Sequence, residues 1–162
     1  MQIRKAHEDD APVLARLIAD SNKDVAEKFG ITQANCPKHP SFCQAQWLAT
    51  DFARGELFFM AYEHDEPVAC IATEYPSPEL AYLNRLAVLP AFRRRGIGQE
   101  LVGFILELAR TRGAKTVSIG VIGEHEELQS WYHRIGFSSG ETKRFPHLPF
   151  SVRYMTYALA AT

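Results

Sequence analysis

Three cysteines, Cys36, Cys43 and Cys70, are too few and too uneven in number for a disulfide framework, so stability must come from a packed core and free thiols are expected. No apolar run approaches the ~18 residues needed to span a bilayer. The opening MQIRKAHEDD also lacks the apolar core of about 7 to 15 residues that a signal peptide carries. These absences lead to an expected cytoplasmic location with no membrane partner. Charge of one sign is missing too: 18 Lys and Arg stand against 19 Asp and Glu, a formal net charge of −1. No overall field draws the chain to nucleic acid, and none is expected as a partner. With no repeats, low-complexity tract or linker, 162 residues at 46% apolar content read as one globular domain spanning the chain.

What is present is strongly patterned. QIRKA (2–6) alternates like a short strand, and EDDAPVLARLIADS follows with an acidic first turn and a stripe of Val13, Leu14, Leu17 and Ile18, which predicts a helix. From Ser21 to Ser41 the pattern is irregular, with Gly30, Pro37 and Pro40 as breakers. Trp47, Leu48 and Phe52 then mark a second amphipathic helix that Gly55 ends. LFFMAY, VACIATEY and LAYLNRLAVL are apolar, aromatic and β-branched runs separated by EHDEP and PSPE, the pattern of an antiparallel meander. Leu101, Val102, Ile105, Leu108 and Ala109 give a helix over Gln99 to Arg112, closed by Gly113. TVSIGVI follows as a buried strand, predicted parallel to the last meander strand because a helical crossover joins them. EELQSWYHRI reads as a further helix, then a break at Gly136, a loop with Pro146 and Pro149, and a final strand SVRYMTYAL.

RRRGIG (93–98) lies between a strand and a helix, where three neighbouring guanidiniums repel and two glycines lose entropy on ordering. A helix starting there presents free N–H groups and its positive dipole end, a site for phosphate. The P-loop is excluded because Gly98 is followed by Gln99 and Glu100. The dinucleotide fingerprint fails because its third glycine would fall at Leu101.

Strand, Pro90, Arg93-x-x-Gly96-x-Gly98 and helix, taken with the strand–helix opening, the meander and Tyr132-x-x-x-Gly136-Phe137, resemble the GNAT superfamily of N-acetyltransferases. That family's coenzyme A loop reads Gln or Arg, two residues, Gly, one residue, Gly or Ala. The resemblance implies an α/β (α+β) fold: a mixed, mostly antiparallel sheet flanked by helices, with a central parallel strand pair splayed around acetyl-CoA. It implies that acetyl-CoA is the co-substrate, that the amides of Arg94, Arg95, Gly96, Ile97 and Gly98 hold its pyrophosphate with Arg93 opening the loop, and that Leu86, Ala87 and Val88 pair with the pantetheine arm. The arginine side chains are expected to meet the 3′-phosphate.

By the same resemblance the reaction is acetyl transfer to a primary amine, a small molecule rather than a protein, by direct attack in a ternary complex. A neutral amine is needed although a free alkylamine has a pKa of about 10.4, and the leaving thiolate gains from a proton donor. Tyr132 stands where family members place that donor. The family's strand glutamate falls at Tyr82, which cannot replace it, so Glu79 and Glu74 are the candidate bases, acting through water. The family asparagine that contacts pantetheine falls at His125. A non-catalytic acyl-CoA sensor is the competing expectation. The oligomeric state is left open by the sequence, with a homodimer one possibility because small family members often dimerise.

CPKHPSFC holds the ligand types of a zinc site in Cys36, His39 and Cys43, but the spacing is Cys-x6-Cys, with no fourth ligand near and prolines beside the histidine. No metal is expected. The segment, with Phe42, Trp47 and KRFPHLPF including His147, is instead expected to shape the acceptor side, whose ligand the sequence does not identify.

Overall fold

The computed structural model describes residues 1–160. β1 (Gln2–Lys5) leads through a short 3-10 turn into α1 (Ala11–Lys28). The Asp10 carboxylate at the helix start accepts from the His7 N–H at 2.8 Å, and Leu14, Leu17 and Ile18 turn inward. α1 is longer than the apolar stripe predicts: its last turns, SNKDVAEK, are polar and are held by contacts elsewhere in the chain. After an irregular 30–44 segment comes α2 (Ala45–Ala53).

β2 (Leu57–Glu63), β3 (Glu66–Ser77) and β4 (Leu80–Val88) form the expected antiparallel meander. His64 and Asp65 close the first hairpin with positive φ at both positions, as a two-residue primed turn requires. α3 (Ile97–Thr111) crosses back to β5 (Thr116–Ile122), which is parallel to β4 as predicted. α4 (Glu126–Ile135) is followed by β6 (Ser138–Arg144) and β7 (Ser151–Ala158). β6 lies where the sequence reads as loop. Its seven residues are all exposed, so it carries no apolar alternation, and backbone pairing to β7 alone makes it a strand.

The seven strands run in the order β1-β2-β3-β4-β5-β7-β6, antiparallel except at β4–β5. α1 and α2 cover one face, burying Leu14, Ile18 and Leu48 against Phe58, Met60, Cys70 and Ala72. α3 and α4 cover the other, burying Leu101, Ile105 and Tyr132 against Ile71, Val117 and Met155. Side chains such as Leu101 and Ile105, with no exposure, are worth ~1.5–3 kcal/mol each. No helix among the described residues is long and apolar enough to cross a membrane.

Candidate active site

The cleft originates in one extra residue of β4. Between the pairs Cys70–Ala87 and Ala72–Asn84, β3 advances two residues and β4 three, a bulge in which Arg85 has φ 55°. Left-handed backbone at a non-glycine residue costs roughly 1–3 kcal/mol, and here the Arg85 guanidinium is held on the Asp51 carboxylate of α2 at 3.2 Å. The bulge bends β4 just past its last pairing with β5, at Tyr82–Ser118. The two strands therefore part. Between Leu86, Ala87 and Val88 on one lip and Ile119 to Ile122 on the other lies a cleft of about 1500 Å³.

α3 points its N-terminus at this cleft. Gly96, with φ 80°, caps the helix in a left-handed conformation, and Arg94 before it has φ 64°. Among the described residues no backbone acceptor faces the amides of Arg94, Arg95 and Gly96, and the first amide of this stretch to find one is that of Glu100, which donates to the Gly96 carbonyl at 3.0 Å. Free donors at a positive dipole end suit a phosphate, so the loop fits a pyrophosphate-bearing co-substrate. Gly98 has a different reason to be glycine: an added Cβ would lie 3.3 Å from Trp131 Cζ2 of α4.

The three arginines separate. Among the described residues no partner engages the guanidinium of Arg94, which lines the cleft. Arg93 lines the cleft, but its side chain turns back to the Val88 carbonyl, the Ser21 carbonyl and the Asp24 carboxylate, which corrects its expected place on a phosphate. The Asp24 carboxyl is held below its ordinary range by that Arg93 hydrogen bond. Arg95 stacks on Phe92 at 5.2 Å and does not line the cleft.

Tyr132 is 4% exposed, fixed edge-on between Trp131 (4.9 Å) and Phe137 (5.2 Å), and faces the cleft. Burial pushes its phenol above the ordinary range, so it stays protonated and can donate. Nearby, the His125 ring starts α4 by accepting from the Leu128 N–H through Nδ1 at 3.4 Å, which leaves Nε2 as the protonated nitrogen. Burial, then Lys28, lowers its pKa. Phe29 lies 5.2 Å from that ring and Lys28 lies 4.0 Å from Glu127, so the end of α1 reaches α4 across the open end of the cleft.

The expected bases fall elsewhere. Glu79 sits in the β3–β4 turn, exposed and 3.4 Å from Lys115, with its carbonyl accepting from Lys115 and Thr116; this is the closed end of the strand pair, outside the cleft. Glu74 does not line the cleft either; Arg54 and Asn84 hold its carboxylate at 2.9 and 3.1 Å. The carboxylates that do line it are Asp24, Asp51, Glu127 and Glu56; Glu56, between α2 and β2, is 3% exposed and bonded by Asn84 Nδ2 at 2.7 Å and Arg54 Nη2 at 3.1 Å. Burial pushes its carboxyl up to about 6. Nothing in the sequence marks this residue, since a glutamate beside the helix-ending Gly55 reads as solvated turn.

Cys36 packs with Ala26 and Ile31, Cys43 packs in the α1–α2 core, and His39 Nδ1 is engaged by the Ser41 hydroxyl at 2.8 Å, so the three do not converge. Burial raises both Cys36 and Cys43 thiols. Phe42 and Trp47 pack in apolar clusters, and His147 stands beside Phe145; none lines the cleft. His39 and Pro40 of CPKHPSFC and Phe150 of KRFPHLPF do line it, beside Asp51 and Arg54, so both segments reach the cleft through residues other than Phe42 and His147.

A splayed parallel pair with a helix N-terminus and a buried tyrosine at the split is an α/β arrangement open to a ligand at one end of the seam. Residues 22–137 match the model of the acetyltransferase (GNAT) family, and the chain belongs to that family. It is 31% identical over 90 residues to an uncharacterised N-acetyltransferase of Methanocaldococcus jannaschii, a match covering 52% of this chain and 40% of that protein. The chain thus spans about two fifths of that relative's length. The fold is similar to the ribosomal-protein-S18-alanine N-acetyltransferase of Escherichia coli, with TM-score 0.79 and 16% identity over 99% of this chain and 95% of the other. It is equally similar to the PaiA N-acetyltransferase of Thermoplasma acidophilum in complex with coenzyme A, with TM-score 0.80 and 19% identity over 97% and 98%.

Proposed function

We propose that this chain transfers the acetyl group of acetyl-CoA to a primary amine, a small molecule rather than a protein, within a ternary complex. The observation that carries this reading is the opening of β4 from β5 beside the free amides at Gly96, with the Tyr132 phenol facing the same cleft. Acetyl-CoA supplies an activated acyl thioester. The amides of 94–98 and the Arg94 guanidinium receive its phosphates. Leu86 to Val88 offer a strand edge for its pantetheine arm. Tyr132 donates a proton or hydrogen bond at the sulfur as the thiolate leaves, and His125 Nε2–H donates along the arm. The crossing of α1 to α4, with Pro40 and Phe150 on the acceptor side, favours a small amine over a protein segment.

Calorimetric titration with acetyl-CoA, followed by thiol release over a panel of primary amines, tests this. Saturable binding with amine-dependent thiol release is expected. Binding without release to any amine would leave a sensor, and no binding would overturn the reading altogether.

A further inference from the structure

We propose that Glu56 takes the proton from the acceptor's ammonium before attack, and that the acceptor is therefore a primary alkylamine, cationic at neutral pH. This rests on the acetyl-transfer reading above. Glu56 lines the cleft with a side chain 1% exposed, and charged or polar groups surround its carboxylate: Asp51 and Arg54 from α2 and its end, Glu74 from β3, and Asn84 and Arg85 from β4. Three carboxylates against two guanidiniums leave one negative charge in excess, two of the three on residues under 10% exposed. An excess charge of this kind is costly to hold alone, and a cation delivered from the cleft completes it.

Burial serves the proton transfer from both sides. It raises the Glu56 carboxyl to about 6, with the Asn84 hydrogen bond pulling the other way, yet leaves it mostly ionised at pH 7 and able to accept. An ordinary carboxyl and an alkylammonium differ by about 6 pH units; the raised carboxyl narrows this to about 4, and desolvation of the ammonium in the same cleft narrows it further. In the step itself the ammonium N–H bond breaks and Glu56 becomes the neutral acid. The amine nitrogen then bonds to the acetyl carbon and the C–S bond breaks with its electron pair leaving on sulfur. The nitrogen's second proton balances that thiolate, by way of Tyr132. Glu56 also lines a second cavity of about 240 Å³, whose walls include the exposed Lys5, His7 and Glu8. The proton it has taken can leave to solvent there while the main cleft is filled.

The experiment measures kcat/KM against pH for wild type, Glu56→Gln, Glu56→Asp and Asn84→Ala on a reactive primary alkylamine, with acetyl-CoA affinity and melting temperature alongside. Wild type should show an acid limb near pH 6. Glu56→Gln should fall about 100-fold at pH 7 and lose that limb, its activity following only the neutral fraction of the amine, while acetyl-CoA affinity stays within about twofold. Glu56→Asp should keep a limb and part of the rate. Asn84→Ala, which removes a donor to the carboxylate, should move the limb to higher pH, a change that a packing role would not produce and that remains readable if Glu56→Gln fails to fold. A Glu56→Gln enzyme within about threefold of wild type, or an acid limb unmoved by all variants, overturns the assignment while acetyl transfer stands. Wild type that binds acetyl-CoA but serves no amine overturns the acetyl-transfer reading and the assignment with it.

Discussion

Arg93, on the loop after β4, is ion-paired to Asp24 on α1, and the same guanidinium also donates to the Ser21 and Val88 carbonyls. The first arginine of the 93–98 loop thus fastens a helix, and its neighbour Arg94 is the one proposed above to receive a phosphate. Arg93→Ala should lower stability by about 1–3 kcal/mol, as expected when a partly buried charged donor is removed from three acceptors. Arg94→Ala should leave the melting temperature unchanged but weaken acetyl-CoA binding and flatten its salt dependence. Thermal unfolding and calorimetry at two salt concentrations check both; reversal of the two phenotypes would reassign the arginines.

Gly98→Ala sets two effects of opposite sign against each other. In an open helix the change stabilises by about 1 kcal/mol. Here the new Cβ would meet Trp131 Cζ2 at 3.3 Å and Cη2 at 3.4 Å, and an indole fixed against Tyr132 gives way poorly. Overpacking typically costs 1–3 kcal/mol, so a net loss is expected. Trp131→Leu should convert the loss into a gain in a double-mutant cycle by chemical denaturation. Additive effects would mean that the helices yield freely.

The raised Glu56 carboxyl ties stability to pH in a defined direction. A group that holds its proton more tightly when folded stabilises fully below its unfolded pKa, and that stabilisation is lost as pH rises through the folded value. With values of 4.5 and about 6, the window lies between pH 4.5 and 6 and the change is about 2 kcal/mol. Glu56→Gln should therefore gain about that much relative to wild type on going from pH 4 to pH 7. Denaturant curves at the two pH values measure it, and parallel behaviour would place the carboxyl in the ordinary range.

Tyr132→Phe keeps the ring between Trp131 and Phe137, so melting temperature and acetyl-CoA affinity should change little. Loss of the phenolic proton should reduce kcat ~10²- to 10⁴-fold when chemistry limits the rate. Because burial pushes the phenol up, no basic limb below pH 10 should belong to it. A fall confined to KM would make Tyr132 a binding residue.

The elements that bury an alternating or helical apolar face were legible in the sequence: the meander, α3, β5 with its parallel partner, α4 and β7. Those that owe their form to something other than their own apolar pattern were not. The last turns of α1 are polar and stand on Arg93 and the Phe29–His125 contact. β6, fully exposed, exists through its pairing to β7. Among the residues that line the cleft, the loop glycines and Tyr132, whose roles are proposed above, sit within local motifs and could be singled out. Glu56 could not, because its burial arises from Asn84 and Arg54, 28 positions after it and two before, meeting only in the folded sheet. Glu79 was misplaced for the same reason, since closeness to a strand does not reveal which end of that strand opens.

β4 and β5 share only three rungs, Leu80–Thr116, Ala81–Val117 and Tyr82–Ser118. The sheet is in effect two panels, β1 to β4 and β5 to β6, joined by a short seam with α3 as the strap behind it. A co-substrate lying between the parted strands would act as a splint, hydrogen-bonding both panels where the chain itself leaves them apart. Amide exchange along β4 and β5 should then slow most at the unpaired ends of these strands when it binds, and melting temperature should climb with its concentration as mass action requires. The gap proposed to admit the reactant would also make the reactant a structural member of the sheet.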